Sequence, residues 1–203
     1  MSAQRRKIII LGCIFLAAAI VWLDRQAGRG IREKLDPPPI SDVDKFNGKT
    51  FKVANVVDGD TVDIDIADGK YKHTRIRLLG VDTPETKSPR YPEMYYGSQA
   101  SEFVKELVLG KNVTVVIDTV ADQRDKYRRL LAYIKLDDGR CVNEQIVLHG
   151  FGYADLRFAH SHFDKYEQLQ NDAIKAKAGL WKEVKRDQFP KWLQRERPNI
   201  INQ

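Results

Sequence analysis

The order of its elements constrains this chain more than any single residue does. From Phe51, two segments alternate apolar and polar with period two, FKVANVV and TVDIDIA. Asp68-Gly69 then marks a hairpin turn, and KHTRIRLL is the returning strand. In GSQASEFVKELVLG the period changes: Ala100, Phe103, Val104, Leu107 and Val108 recur at helical spacing, and Gly110 is the stop. NVTVVID and RLLAYIKL are two more strands, with Asp-Asp-Gly as the following turn. CVNEQIVLHG is a short helix ending at Gly150. HFDKYEQLQNDAIKAKAG is a longer one, with Phe163, Tyr166, Leu169 and Ala173 on one face. Three strands, a helix, two strands and two helices point to the α+β class, as a five-stranded Greek-key barrel of the OB type with about three helices. An open antiparallel sheet covered by helices satisfies the same order.

The bulk numbers set outer bounds. A length of 203 residues implies one domain with extensions, and 42% hydrophobic residues can supply a core. The net charge of +6 favours a polyanionic partner, because Lys and Arg displace counterions from phosphates. A generic basic surface gives the same number. Of the two cysteines, Cys13 lies in the apolar N-terminal run. The remainder therefore holds one thiol, Cys141, and its fold must stand on its core.

A basic stretch, residues 1–7, precedes 16 uncharged residues, Ile8 to Leu23. This run sits between a signal-peptide core and a spanning helix in length. Asp24, Arg25 and Gln26 stand where a cleavage site would need small residues, which favours an uncleaved hydrophobic anchor helix over a cleaved signal. The basic residues before the run place the remainder outside the cytoplasm, membrane-tethered, or secreted or periplasmic if the segment is cleaved. Residues 24–46, with Pro37 to Pro39, read as an extended linker, 47–182 as the folded domain and 183–203 as a charged tail.

The chemistry gathers in three short stretches. VDGDTV, Val57 to Val62, sets Asp58 and Asp60 about a glycine turn, which alone reads as an ordinary hairpin. RIRLLGVDTPET ends an apolar strand in Asp82, Thr83 and Glu85, with Arg77 a few residues upstream. A surface turn needs one acid and no arginine. A hard cation such as Ca²⁺ takes six to eight oxygens. Two turns at neighbouring strand ends can offer Asp60, Asp82 and the Thr83 backbone carbonyl. DKYRRLLAY places Arg129 at the start of a strand.

These three motifs, in this order, resemble the staphylococcal nuclease (thermonuclease) family, over about Phe51 to Trp181. The resemblance implies the OB barrel, Ca²⁺ as cofactor and nucleic acid as partner. Position by position it implies Asp60 and Asp82 as carboxylate ligands and Thr83 as the carbonyl ligand. Arg77 and Arg129 match the arginines that hold the scissile phosphate, and Glu85 the general base. It also implies cleavage of DNA and RNA to 3′-phosphate ends.

Arg128 stands where the family often has glycine. The paired tyrosines of the best-known member fall near Leu156 and Phe158 here, so stacking falls to Tyr153 or Tyr127, and Lys126, Tyr127, Arg128 and Tyr153 are the candidate substrate contacts. His160 and His162 are expected at a solvated helix start. A catalytically inactive OB-type scaffold is the competing class. It should have lost one of Arg77, Glu85, Arg129 or the acids, and all are present. No protein partner is evident, and a monomer is expected.

Overall fold

The computed structural model describes residues 18–23, 25–26, 40–86 and 92–200. The chain divides into two units, Met1–Ile40 and Ser41–Gln203. In the first, residues 18–23 and 25–26 are helical, and Ile20, Val21, Trp22 and Leu23 are exposed. Residues 8–17 of the expected anchor, and Pro37 to Pro39, lie outside the described residues. No helix among the described residues is long and apolar enough to cross a membrane.

Among the described residues, the second unit is built on seven strands: β1 (Thr50–Asp58), β2 (Thr61–Ile64), β3 (Thr74–Leu78), β4 (Val81–Asp82), β5 (Asn112–Val116), β6 (Leu130–Lys135) and β7 (Tyr153–Ala154). Five of them close a barrel in the order β1-β2-β3-β6-β5. β3 and β6 run parallel, and the other pairs are antiparallel, including β1 with β5. This is the OB-type α+β barrel, and its closure rules out the open sheet. Two register shifts bend β1, which lets one strand serve both β2 and β5. In β3 the alternation is literal: Thr74, Ile76 and Leu78 are buried, whereas Arg75 and Arg77 point away from the core.

Among the described residues, five α-helices lie against this frame: α1 (Asp42–Phe46), α2 (Gly97–Val108), α3 (Val142–Leu148), α4 (Phe163–Lys175) and α5 (Lys191–Glu196). Ala100, Val104 and Val108 of α2 are fully buried, at the spacing the sequence shows. The expected linker and tail are corrected at both ends. Ser41 caps α1 by accepting from the Asp44 amide, and Phe46 at its end is fully buried in the barrel core. Burying such a ring contributes about 1.5–3 kcal/mol, so residues 41–46 belong to the fold. At the other end Val184, Phe189, Leu193 and Ile200 join Tyr153, Leu180 and Trp181 in a second core cluster. The tail is a wrapped segment of the domain.

Candidate active site

The turn after β1 is tight because it lies on Thr83. A Cβ on Gly59 would come within 2.7 Å of the Thr83 hydroxyl, so a side chain there would push the two turns apart. Asp58 accepts a bond from the Asp60 amide at 3.1 Å and fixes the turn. Asp60 is thereby buried, with Oδ2 accepting from the Thr83 amide at 2.9 Å and the Thr83 hydroxyl at 3.2 Å. The two acidic motifs are thus one structure.

Asp82 is carried by the short β4–β7 ladder, paired with Tyr153. Arg77 faces it from β3. The guanidinium donates Nη1 to the carbonyls of Leu78 (3.2 Å) and Val81 (2.6 Å), and Nη2 to Asp82 Oδ1 at 3.0 Å. Its Nη1 also lies 3.1 Å from Asp60 Oδ2. This leaves the Nε hydrogen and one Nη2 hydrogen without a partner among the described residues. The other Asp82 oxygen accepts from the Trp192 indole at 2.8 Å.

The opposite wall is the loop before β6. Asp125 accepts from the amides of Tyr127 and Arg129, both at 2.9 Å, and pairs with Arg129 Nε at 2.7 Å. Both Nη groups of Arg129 have no partner among the described residues. Arg129 and Lys126 lie over the exposed Tyr127 ring, at 5.6 and 5.0 Å from its centroid. Glu85 is exposed between the walls. The Met94 amide donates to its carbonyl at 2.9 Å, and Gly97 at the start of α2 packs against that carbonyl too closely to carry a side chain.

Asp60, Arg77, Asp82, Glu85, Lys126 and Arg129 line one open groove of about 860 Å³. Its electrostatics are those of crowded acids. Burial and the Asp60 charge push Asp58 up to about 7. Burial and Asp60 likewise raise Asp82 to about 6, against the pull of Arg77 and Trp192. Glu85, open to solvent on one side, is raised by its partial burial in the groove and by Asp60, against the pull of Arg77 and Arg129.

Among the described residues no three His, Cys, Asp or Glu side chains form a ready metal cage. The donor set still fits a hard cation: the acidic side chains lining the groove offer only carboxylate oxygens, and the upward shifts of Asp58 and Asp82 show acids crowded together more closely than Arg77 offsets.

Two expectations need correcting. Tyr153 does not reach the groove; its ring is fully buried, edge-on to Trp181 and Phe189. Its position on β7, beside the core helices, explains why. Of the two aligned positions, Leu156 packs against the core, whereas Phe158 is exposed on the groove. His160 is not solvated. It is buried, with Nδ1 2.9 Å from the Tyr133 hydroxyl, which itself donates to Asp118.

The site also holds residues the sequence reading missed. Arg157 pairs with Asp155 at 2.7 Å, approaches Asp82 to 3.5 Å and stacks 4.3 Å over Trp192. Arg124 ties three elements together. It pairs with Asp42 of α1 and Asp68 of the β2–β3 turn, each at 2.6 Å, and donates to the Arg128 carbonyl at 2.8 Å. The only local signal for either was an arginine close in sequence to an acid, which is common everywhere.

The family model described as staphylococcal nuclease homologue matches residues 75–183. The chain is similar to a thermonuclease of Staphylococcus hyicus, 34% identical over 176 residues, covering 86% of this chain and 98% of that one. It is similar to a thermonuclease of Staphylococcus intermedius, 36% identical over 179 residues with the same coverage of each. A protein of Escherichia coli described as an uncharacterized endonuclease is 35% identical over 152 residues, covering 72% of this chain and 84% of its own.

Proposed function

The chain belongs to the family of staphylococcal nuclease homologues, a nuclease family, and from that premise we propose that it hydrolyses phosphodiester bonds of DNA or RNA with Ca²⁺ as cofactor, leaving 3′-phosphate ends. The observation that carries this reading is that Arg77 and Arg129, from separate walls, line one groove with Asp60, Asp82 and Glu85.

Attack on a phosphodiester concentrates negative charge on the phosphoryl oxygens, and fixed cations lower that barrier without any proton transfer. Arg77 offers an edge, its Nε and one Nη2 hydrogen, because its other donors hold Leu78, Val81 and Asp82. Arg129 offers its Nη end, because Asp125 takes Nε. Two planar forks at different angles can grip different oxygens of one phosphate. Glu85 accepts the proton of the attacking water. The upward shift of its carboxyl, caused by burial and Asp60 against the pull of the arginines, strengthens it as a base. Asp60, Asp82 and the Thr83 carbonyl would hold the Ca²⁺. When bound, it supplies Lewis-acid charge at the phosphate.

The reading is tested by incubating the purified chain with single-stranded DNA and RNA, with added Ca²⁺ or with chelator. Cleavage in Ca²⁺ that stops in chelator supports it. Full cleavage in chelator, or rescue by Zn²⁺ alone, overturns the Ca²⁺ assignment. For location, we propose a monomeric domain outside the cytoplasm, tethered by Ile8 to Leu23. The support is the basic stretch before that run and the acidic and basic residues at its end. Protease added to intact spheroplasts should digest the domain while a cytoplasmic marker survives. A protected domain reverses the orientation.

A further inference from the structure

Beside the groove lies a second cleft of about 700 Å³, between the β2–β3 turn and the loop before β6. Arg124, Tyr127 and Arg129 line both, so the two are continuous. Nothing in the chemistry of the groove requires the second cleft.

Four observations describe what it would accept. Tyr71, which pairs with Asp68 to close the turn, is 64% exposed, and Tyr127 across the cleft is 68% exposed. A ring so exposed buries little surface for the fold. The cleft carries six basic side chains against two acidic ones. Both acids are already answered, Asp63 by Arg75 at 2.7 Å and Asp68 by Arg124 at 2.6 Å. Lys72 and Arg128 have no ion-pair partner among the described residues, and Lys70 lies 5.4 Å over the Tyr71 ring. Arg128 also holds φ at +68°, a backbone conformation that glycine adopts freely and arginine does not. A charged side chain kept at a strained position, on the lip of a cleft, points to a use for the charge.

Exposed rings interleaved with free cations suit one ligand chemistry: unstacked bases on a phosphate backbone. We propose that this cleft is a second subsite for single-stranded nucleic acid, holding nucleotides beyond the scissile phosphate. Tyr71 is its stacking platform, and Lys70, Lys72 and Arg128 are its phosphate contacts. The proposal rests on the nuclease reading for its place in the reaction, but its binding can be measured without catalysis. A duplex is a poorer ligand, because its bases are already stacked on one another and cannot meet Tyr71.

The test uses the full chain in chelator and a fluorescent 20-nucleotide single strand, followed by anisotropy. Tyr71→Ala should weaken binding about tenfold, the effect of one lost base stack. The double substitution Lys70→Ala with Lys72→Ala should reduce the slope of log affinity against log salt by about 1.4. On a 20-base-pair duplex, Tyr71→Ala should change affinity less than twofold. In Ca²⁺, Tyr71→Ala should raise KM for the long strand and leave KM for a single-nucleotide nitrophenyl phosphodiester within twofold. Unchanged single-strand affinity in both variants overturns the subsite, and equal losses on duplex and single strand overturn the stacking role. If the wild type cleaves neither substrate while Tyr71→Ala still weakens binding, the subsite stands and the nuclease reading falls.

Discussion

The two walls of the groove hold their arginines in opposite ways. Arg77 is half-buried on a central barrel strand, paired on both sides, with two carbonyls and two carboxylates around its guanidinium. Arg129 sits on a loop, held by Asp125 and resting on the exposed Tyr127 ring. One arginine is part of the fold as well as of the site, and the other belongs to the site alone. The difference separates two properties that mutation usually mixes. On the first wall rate and stability should fall together, and on the second they should come apart.

The largest effect is expected at Arg77. Arg77→Ala should slow cleavage by about 10²–10³-fold. It should also cost about 3 kcal/mol or more of stability, because Asp60 and Asp82 are left crowded without their counter-charge. Arg129→Ala should show a similar rate loss with a smaller stability change, because Asp125 keeps its two amide donors when the arginine is removed. Urea unfolding beside turnover would decide the matter, and equal stability losses in the two variants would break the comparison.

Arg124 makes the reverse case, since it supports the loop wall without facing the reaction. Arg124→Ala should cost about 2–3 kcal/mol, because it strands Asp42, Asp68 and the Arg128 carbonyl. Its stability loss should exceed that of Arg129→Ala, and an equal or smaller loss would show that the loop does not depend on this tie.

A smaller effect concerns pH. Asp58 at about 7 and Asp82 at about 6 both lie above the ordinary carboxylate value of 3.8. At these two acids the folded state binds more protons than the unfolded state between about pH 4 and 7, so their contribution to stability falls as pH rises, while His160, lowered by burial, acts in the opposite sense. In chelator the melting temperature should be higher at pH 5.5 than at pH 7.5. Added Ca²⁺ should flatten the difference by supplying the missing charge at the higher pH. A melting temperature that rises with pH in chelator would contradict the crowding of acids on the first wall.

The smallest effect is at Trp192. Trp192→Phe removes the indole N–H from Asp82 and keeps most of the packing against Arg157, a change of about 1 kcal/mol. The same loss should raise the Asp82 carboxyl further, visible as a shift of the acid limb of the pH–rate profile to higher pH. An unmoved limb would show that the indole does not tune that acid.

Much of this was legible in the sequence because its signals were local. Period two in β3 and period 3.6 in α2 come from one element each, and the acids of both motifs lie at turns marked by Gly59 and Gly80. The illegible parts depended on distant contacts. Phe46 follows a polar, proline-rich stretch, and only its insertion into the barrel makes it core. The ladder that holds Asp82 is two residues long on each side, too short for any periodicity. Tyr153 sits in a motif-like stretch beside functional positions, and the packing of Trp181 and Phe189 buries it. Trp192 reaches Asp82 across 110 residues of chain, a pairing no local pattern records.

That last contact bears on the order in which a ribosome delivers this protein. Chains are made from the N-terminus, and the strands of the barrel emerge well before α5. A growing chain that has not yet released residue 192 has its acids and arginines but lacks the indole that holds one of those acids in place. Completion of the site therefore waits for residue 192 to emerge. A nascent product halted at residue 190 should fold its barrel, resist protease there and yet bind Ca²⁺ more weakly than the finished protein. Equal Ca²⁺ affinity in the halted and finished chains would sever that link.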